Sequence, residues 1–245
     1  ALEQLGRIKY PADESFRSGR FITAMDGFGI SYNENRVRQG VSLDVWLKHH
    51  WEANYIVSGS GQVSDLTRGD SWPLKAGLLY VVGPNDRHRL DFTEDECHIS
   101  VFCPPLTGNE GFDEDGAYQP SGPIQPTDRR MFARHADDIA VETHLSQQPG
   151  TVLSIPLLTV DDAIGFEMRL YKLSAGSEIS VGQTGHQTAN HMIHGTGEYM
   201  DGTDTIRPIG PSTTCSLESH ETGTIRAGTD IEFLSITCRA HWRMK

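Results

Sequence analysis

The sequence predicts an all-β fold made of two tandem jelly-roll barrels. Two observations lead to this prediction. One register of self-similarity runs across the two halves of the chain, and each half consists of short, turn-separated runs of alternating hydrophobicity. Many short strands at regular spacing are typical of double-sheet barrels. With 245 residues, the chain is long enough for two small domains that each bury a core.

The internal repeat appears when the sequence is compared with itself at an offset of 136 residues, which places His50 on His186. The same ungapped register aligns an Ala-Asn step and a Gly-x-Gly turn of the two halves, namely Ala53-Asn54 with Ala189-Asn190 and Gly59-Ser60-Gly61 with Gly195-Thr196-Gly197. Agreement of Gly, His and Ala-Asn in one register indicates a duplication.

The chain therefore divides into an N-terminal barrel over 1–120 and a C-terminal barrel over 148–245. The segment 121–147 between them is expected to be a linker with a short helix, because 127–147 has a helical pattern after a stretch rich in Gly and Pro. Cupins are one branch of the jelly-roll class, so the predicted architecture is a tandem cupin, or bicupin.

Composition excludes several classes of function. A formal charge of −12 disfavours nucleic acid and anionic membranes as partners. No apolar stretch is long enough to span a bilayer and the N-terminus lacks a signal pattern, so a cytoplasmic protein is expected. The cysteines form no CxxC pair and are expected to be buried free thiols: Cys97, Cys103, Cys215 and Cys238.

Chemically capable side chains concentrate in the first repeat. Strand alternation places His50 and Glu52 on one face, Tyr80 lies on the next strong strand, and His88 follows a loop. A buried carboxylate is costly unless it is paired, and a divalent metal would pair it. From these residues alone, however, the alternatives to a metal site remain equally open: a tyrosine that packs in the core, a hydrated pair of histidines and an exposed glutamate.

The first repeat resembles the ectoine synthase family. The resemblance lies in KHHWEANYIVSGSGQV, WPLKAGLLYVVGPNDRHRL, and SVFCPPLTGNE followed by EDGAY, and it covers about two-fifths of the chain, from Arg17 to Tyr118. Its most specific part is Pro104–Glu110. Ectoine synthases are single-domain cupins that close N-acetyl-diaminobutyrate into the cyclic amidine ectoine with loss of water.

The resemblance implies a metal site formed by Glu52, Tyr80 and His88, with Fe(II) as the expected ion and Mn(II) or Zn(II) as open alternatives. It implies that His50 or Glu110 moves protons. The remaining matching pocket positions are Arg20, Asn33, Phe102, Pro104 and Gly108.

Four pocket positions depart from the family pattern: Phe16 replaces Trp, Asn35 replaces Thr, Leu47 replaces Tyr and Phe112 replaces His. Leu47 and Phe112 are still expected to contact the substrate. Because the loss of hydrogen-bonding groups changes which ligands a small polar pocket accepts, we expect a different or modified substrate.

The second repeat lacks the expected metal ligands. The 136-residue offset aligns Glu52 with Thr188, Tyr80 with Ser216 and His88 with Thr224. A degenerate barrel without metal is therefore expected, one that braces the first as a partner subunit would. A homodimer of the whole chain is also compatible with the sequence.

These observations favour a metal-dependent carbon–oxygen lyase, a hydro-lyase of ectoine synthase type, acting on a small amino-acid derivative. Two alternatives remain. A cupin can instead catalyse metal-dependent oxygenation or β-elimination of a small polar substrate, or bind a small ligand without turnover.

Overall fold

The computed structural model describes residues 2–10, 14–111, 113–124, 127–144, 146, 148–182 and 185–239. Its elements are β-strands, interrupted by three 3-10 turns, in agreement with the all-β prediction. Contacts between backbone positions divide the chain into two compact units, with the division between Ala136 and Asp137.

The first unit contains eleven of the strands: β1 (Ile8–Lys9), β2 (Phe16–Ile22), β3 (Ser31–Val37), β4 (Ser42–Trp46), β5 (Trp51–Ser58), β6 (Gly61–Asp65), β7 (Ser71–Leu74), β8 (Leu78–Val82), β9 (Arg87–Phe92), β10 (Glu96–Cys103) and β11 (Phe132–His135). A 7-stranded sheet has the order β1-β2-β3-β10-β5-β8-β11, and a 4-stranded sheet has the order β4-β9-β6-β7. Every pairing is antiparallel, as expected of a jelly roll.

The second unit repeats this plan with β12 (Glu142–His144), β13 (Val152–Leu158), β14 (Phe166–Leu173), β15 (Glu178–Val181), β16 (His186–His194), β17 (Gly197–Asp201), β18 (Ile206–Ile209), β19 (Thr214–Leu217), β20 (Gly223–Ala227) and β21 (Ile231–Arg239). Its sheets have the orders β12-β13-β14-β21-β16-β19 and β15-β20-β17-β18. The central strand order β3-β10-β5-β8 thus corresponds to β14-β21-β16-β19. The duplication is therefore present in the structure as well as in the sequence.

The central strands of the first unit are covered on both faces. All residues of β8 and β10 are buried, although β10 alternates polar and apolar side chains. Glu96, His98 and Ser100 form the polar set of β10, and the first of these is only 3% exposed. A buried polar face needs partners, so this strand already indicates a polar interior.

The segment between the units differs from the expected helical linker. Phe132–His135 is the strand β11, which pairs with β8, and Glu142–His144 is the strand β12, which pairs with β13. Between them lies a single 3-10 turn, Ala136–Asp138. The pairing partners satisfy the backbone of these strands, and such tertiary pairing overrides a local helical pattern.

The strand ladders also correct the register of the repeat. Asn54 pairs with Tyr80 in the first unit, whereas its counterpart Asn190 pairs with Cys215. Asp65 pairs with His88, whereas its counterpart Asp201 pairs with Gly223. The assignments of Ser216 and Thr224 are therefore wrong by one residue, because the connection after β17 is one residue shorter than the connection after β6.

All four cysteines are buried and free, as the sequence predicted. Within the described part of the chain, no helix has the length and apolar character needed to cross a membrane.

Candidate active site

A cavity of about 490 Å³ lies within the first unit. Its lining includes the three expected metal ligands and several expected substrate contacts, which are Arg20, Asn33, Leu47, Glu52, Tyr80, His88, Phe102, Gly108 and Glu110. The walls thus combine aliphatic and aromatic side chains with polar and charged groups that converge on one space, which is a common feature of ligand sites.

The expected metal ligands reach the cavity from three strands. Glu52 lies on β5, Tyr80 on the neighbouring strand β8, and His88 on β9 of the opposite sheet. The rings of Tyr80 and His88 meet edge to face, with their centroids 6.4 Å apart. The two sheets therefore bring together residues that are 36 positions apart in the sequence, from Glu52 to His88.

His88 has the form of a metal-binding imidazole. It is 1% exposed, and burial lowers its pKa, although the carbonyl and carboxylate of Asp86 oppose this effect. Its Nδ1 lies 3.4 Å from the Asp86 carbonyl oxygen, and Nε2 has no hydrogen-bond partner among the described residues. A neutral ring with one nitrogen turned to a backbone carbonyl leaves the other nitrogen free for a ligand.

Glu52 and Tyr80 are buried where a negative charge is unfavourable. Burial raises the pKa of Glu52, against the opposing effects of Asn54, His98 and Ser100. Burial, and then the charges of Glu52 and Glu96, raise the pKa of Tyr80 well above its usual value. A bound cation would offset both effects, since it favours carboxylate and phenolate forms.

These three side chains supply oxygen and nitrogen donors suited to a divalent transition metal. Among the described residues, no group of three or more His, Cys, Asp and Glu side chains is arranged to hold a metal ion. The Glu52–Tyr80–His88 set contains two such side chains and a phenol, and its unpartnered His88 nitrogen is the observation that fits a metal.

Arg20 supplies a positive charge to the cavity. Its Nε and Nη1 atoms are buried and have no hydrogen-bond partner among the described residues, and Nη1 lies 4.0 Å from Oε2 of Glu110. Glu110 is itself tied to its loop, because its carboxylate accepts hydrogen bonds from the backbone N–H groups of Thr107 and Gly108. Arg20 thus keeps donors available for an anionic group of a ligand.

Three expected site residues lie elsewhere or outside the described structure. His50 is fully buried but does not line the cavity, and its Nε2 lies 3.0 Å from Oγ of Ser121. Burial lowers the pKa of His50 to about 4, against the raising effect of Glu110. Pro104 is buried and does not line the cavity. Phe112 lies outside the described residues.

A polar network at the far end of the cavity was not predicted from the sequence. Glu96 and His98 form a buried ion pair, with 2.7 Å between Oε2 and Nδ1. Asn35 lies 3.1 Å from Nε2 of His98 and donates to Ser100 Oγ at 2.9 Å, and Ser100 in turn donates to Asn54 Oδ1 at 2.5 Å. The alternation of polar residues along β10 was a usable signal for this network.

The described part of the second unit carries other residues at the positions of the three metal-ligand candidates, although Thr188, Asn190 and His191 are buried there. The register places Thr188, Cys215 and Gly223 at the positions of the three metal-ligand candidates. A Cβ atom at Gly223 would lie 2.4 Å from the ring of Tyr199, so this tyrosine fills the space of a larger side chain. Among the described residues, a cluster of buried apolar side chains that includes Met192, Ile225 and Phe233 forms the core of this unit.

Sequence comparison places the similarity in the first unit. A family model described as "Ectoine synthase" matches residues 6–122. The L-ectoine synthase of Desulfosudis oleivorans is 39% identical over 118 residues, which cover 48% of this chain and 92% of that protein. The L-ectoine synthase of Shouchella clausii is 38% identical over 104 residues, covering 42% and 78%, and that of Halomonas elongata is 36% identical over 118 residues, covering 48% and 86%.

Solved structures with the same fold extend over nearly the whole chain. A putative glyoxylate-induced protein from Pseudomonas aeruginosa gives a TM-score of 0.70 at 12% identity and covers 94% of this chain and 84% of that one. Oxalate decarboxylase from Bacillus subtilis gives a TM-score of 0.65 at 12% identity, covering 93% and 73%. At this identity the likeness shows the fold, which is that of a bicupin. Through its first barrel, this chain belongs to the ectoine synthase family of lyases.

Proposed function

We propose that the first barrel is a metal-dependent lyase that closes an N-acyl diamino acid, N-acetyl-diaminobutyrate or a relative of it, to a cyclic amidine with loss of water. The observation that carries this proposal is the convergence of Glu52, Tyr80 and His88 on one cavity, in the unit that matches the family. The Nε2 atom of His88, which has no hydrogen-bond partner in the described part of the chain, supports a metal at this point.

A divalent metal, most consistent with Fe(II), would act here as a Lewis acid toward the amide carbonyl of the substrate, and Mn(II) and Zn(II) suit the same donors. Glu52, Tyr80 and His88 would hold it. No other residue of the cavity is assigned to the metal.

Arg20 orients the substrate in this proposal. Arg20 lines the same cavity, and its Nε and Nη1 atoms, which have no hydrogen-bond partner among the described residues, suit the substrate carboxylate. A carboxylate held by Arg20 and an amide held near His88 place the two ends of the substrate, so that its amine approaches the amide carbon within one molecule. Positioning of this kind supplies a large part of the rate of ring closure.

Glu110 is the better candidate for moving protons. It lines the cavity, whereas His50 does not. Its carboxylate is fixed by the loop N–H groups and faces Arg20. The ammonium group of the substrate must lose a proton before its nitrogen can attack, and the departing oxygen must gain protons to leave as water, so a carboxylate held beside the substrate serves both steps. His50, with its depressed pKa, is neutral near pH 7 and supports the adjacent loop through Ser121.

The proposal is tested by incubating metal-loaded protein with N-acetyl-diaminobutyrate and following the amidine product by NMR. We expect product formation to be lost in Glu52→Ala and His88→Ala and retained in His186→Ala, a histidine replacement in the second barrel. Oxygen uptake during turnover would favour an oxygenase. Substrate binding that survives Glu52→Ala, without any turnover of the unmodified protein, would favour a ligand-binding protein.

A further inference from the structure

The polar network of Asn35, Glu96 and His98 lies at the end of the cavity away from the loop that carries Glu110. Along β10 the chain runs from Glu96 to Phe102 and then enters that loop. At a rise of about 3.3 Å per residue, His98 lies roughly 13 Å along the strand from Phe102. Both Asn35 and His98 line the cavity, so a ligand that fills it reaches them.

The network is expensive to bury. The side chain of Glu96 is 0% exposed and that of His98 is 9% exposed. Oε1 of Glu96 and Nδ2 of Asn54 have no hydrogen-bond partner among the described residues. Burying an ion pair in place of well-packed apolar side chains gains no stability on average, and unsatisfied polar atoms lower stability.

The second barrel shows that the fold does not need this polarity. His98 pairs with Asn35, and at the same place in the duplicate Phe233 pairs with Tyr171. The rings of Phe233 and Tyr171 stack with centroids 4.9 Å apart, and Ile231 takes the register position of Glu96. The same β-sheet positions therefore accept an apolar core, and the polar set of the first barrel calls for a reason other than folding.

The position of the polar network in the cavity indicates which part of a ligand the network contacts. This step rests on the proposed function. The substrate carboxylate is assigned to Arg20 and its amide carbonyl to Glu52, Tyr80 and His88, which leaves the acyl chain as the part of the substrate without an assigned partner in the cavity. The chain would then end beside His98 and Asn35, on the strands β10 and β3.

We propose that His98 and Asn35 form a subsite that recognises a neutral hydrogen-bonding group, such as a hydroxyl, on the acyl chain of the substrate. The ligand group is met at Nε2 of His98 and Nδ2 of Asn35, which lie 3.1 Å apart, and Glu96 is a positioning residue that fixes the imidazole ring through Nδ1. A neutral group is favoured over an anion because Glu96 already balances the imidazole. Although burial disfavours the imidazolium, the charge and hydrogen bond of Glu96 outweigh it and raise the pKa of His98.

The test compares N-glycolyl- and N-propionyl-diaminobutyrate, which differ in a single hydroxyl-for-methyl exchange. Their dissociation constants are measured by calorimetry with the metal-loaded full chain. We expect the glycolyl compound to bind at least about tenfold more tightly, because a site built for a hydroxyl discriminates strongly against an apolar isostere.

Three variants test whether the preference for the glycolyl compound depends on this subsite. His98→Phe introduces the residue found in the duplicate barrel and should bring the ratio of the two dissociation constants close to one. Glu96→Gln keeps the shape but removes the charge, and should reduce the preference, which a general loss of stability would not do because it affects both ligands equally. His135→Ala changes a histidine outside the cavity and should leave the preference intact.

Equal affinities in the unmodified protein, or a preference that survives His98→Phe, would overturn the subsite. Absence of binding by both compounds would overturn it as well. A preference that depends on His98 without any amidine formation would instead contradict the proposed reaction and leave the subsite standing.

Discussion

Arg20 is the side chain whose single replacement should separate binding from folding. Its Nε and Nη1 atoms are buried without hydrogen-bond partners among the described residues, so its donors add to the stability of the first unit less than they would if paired. If the proposed reaction is correct, Arg20→Met should raise KM for the proposed N-acyl diamino acid substrate at least about tenfold, through the loss of one charge-assisted hydrogen bond of about 1.5–3 kcal/mol.

Steady-state kinetics with Arg20→Met checks this, and Arg89→Met is the matched control because Arg89 pairs with Asp44 on the outside of the barrel. An unchanged KM in Arg20→Met, with the fold intact by circular dichroism, would remove Arg20 from the site.

At the same scale, the two groups of buried polar residues differ in how far the sequence predicted them. The family resemblance predicts Glu52, Tyr80 and His88 as a set, whereas strand alternation alone groups only Glu52 with His50. Glu96 and His98 were not predicted, because polar–apolar alternation on a strand usually marks a solvent-facing side. Only the burial of both faces of β10 shows that its polar side faces inward.

At the scale of elements, both barrels close the same hairpin with one aspartate. In the first unit, Oδ1 of Asp65 accepts hydrogen bonds from the backbone N–H groups of Thr67 at 2.7 Å and Arg68 at 3.1 Å. In the second, Asp201 Oδ1 accepts from the N–H groups of Thr203 and Thr205. The turns differ in length by one residue, yet the same acceptor serves both.

Asp65→Ala should lower the free energy of unfolding of the first unit by about 1–3 kcal/mol, since it removes a buried carboxylate that accepts two backbone hydrogen bonds of the turn. Urea denaturation followed by tryptophan fluorescence measures this, because Trp46, Trp51 and Trp72 belong to the first unit. Asp70→Ala, at an exposed position two residues before Trp72, is the control and should change the stability by less than about 0.5 kcal/mol.

The effect of Asp65 should also depend on pH. Burial alone would raise its pKa, but the backbone N–H groups of Thr67 and Arg68 and the charge of Arg130 outweigh burial, so the pKa is lowered. The contribution of the carboxylate is then complete above the unfolded-state pKa of about 3.9 and is lost as the pH falls through the folded-state value. A difference between Asp65→Ala and the unmodified protein that grows on acidification would contradict this account.

For the whole molecule, the duplication predicts an asymmetric metal content. One barrel carries Glu52, Tyr80 and His88, while the register of the other places Thr188, Cys215 and Gly223 there. Metal analysis should therefore find about one equivalent per chain, because thiol and hydroxyl groups at two positions and no side chain at the third cannot form a comparable site.

His88→Ala should abolish this equivalent, and His186→Ala should leave it unchanged. Two equivalents per chain, or one that persists in His88→Ala, would contradict the asymmetric model.

The sequence by itself determined the all-β class, the duplication and the ectoine synthase family, because periodicity, repeat register and motifs are properties of local residue order. The tertiary structure decided what depends on pairing between distant strands. Pairing turned 132–135 into a strand, shifted the counterparts of Tyr80 and His88 by one residue, and turned the polar side of β10 toward the cavity. A ladder fixes which residues face each other and which face the interior, and neither can be derived from one strand considered alone.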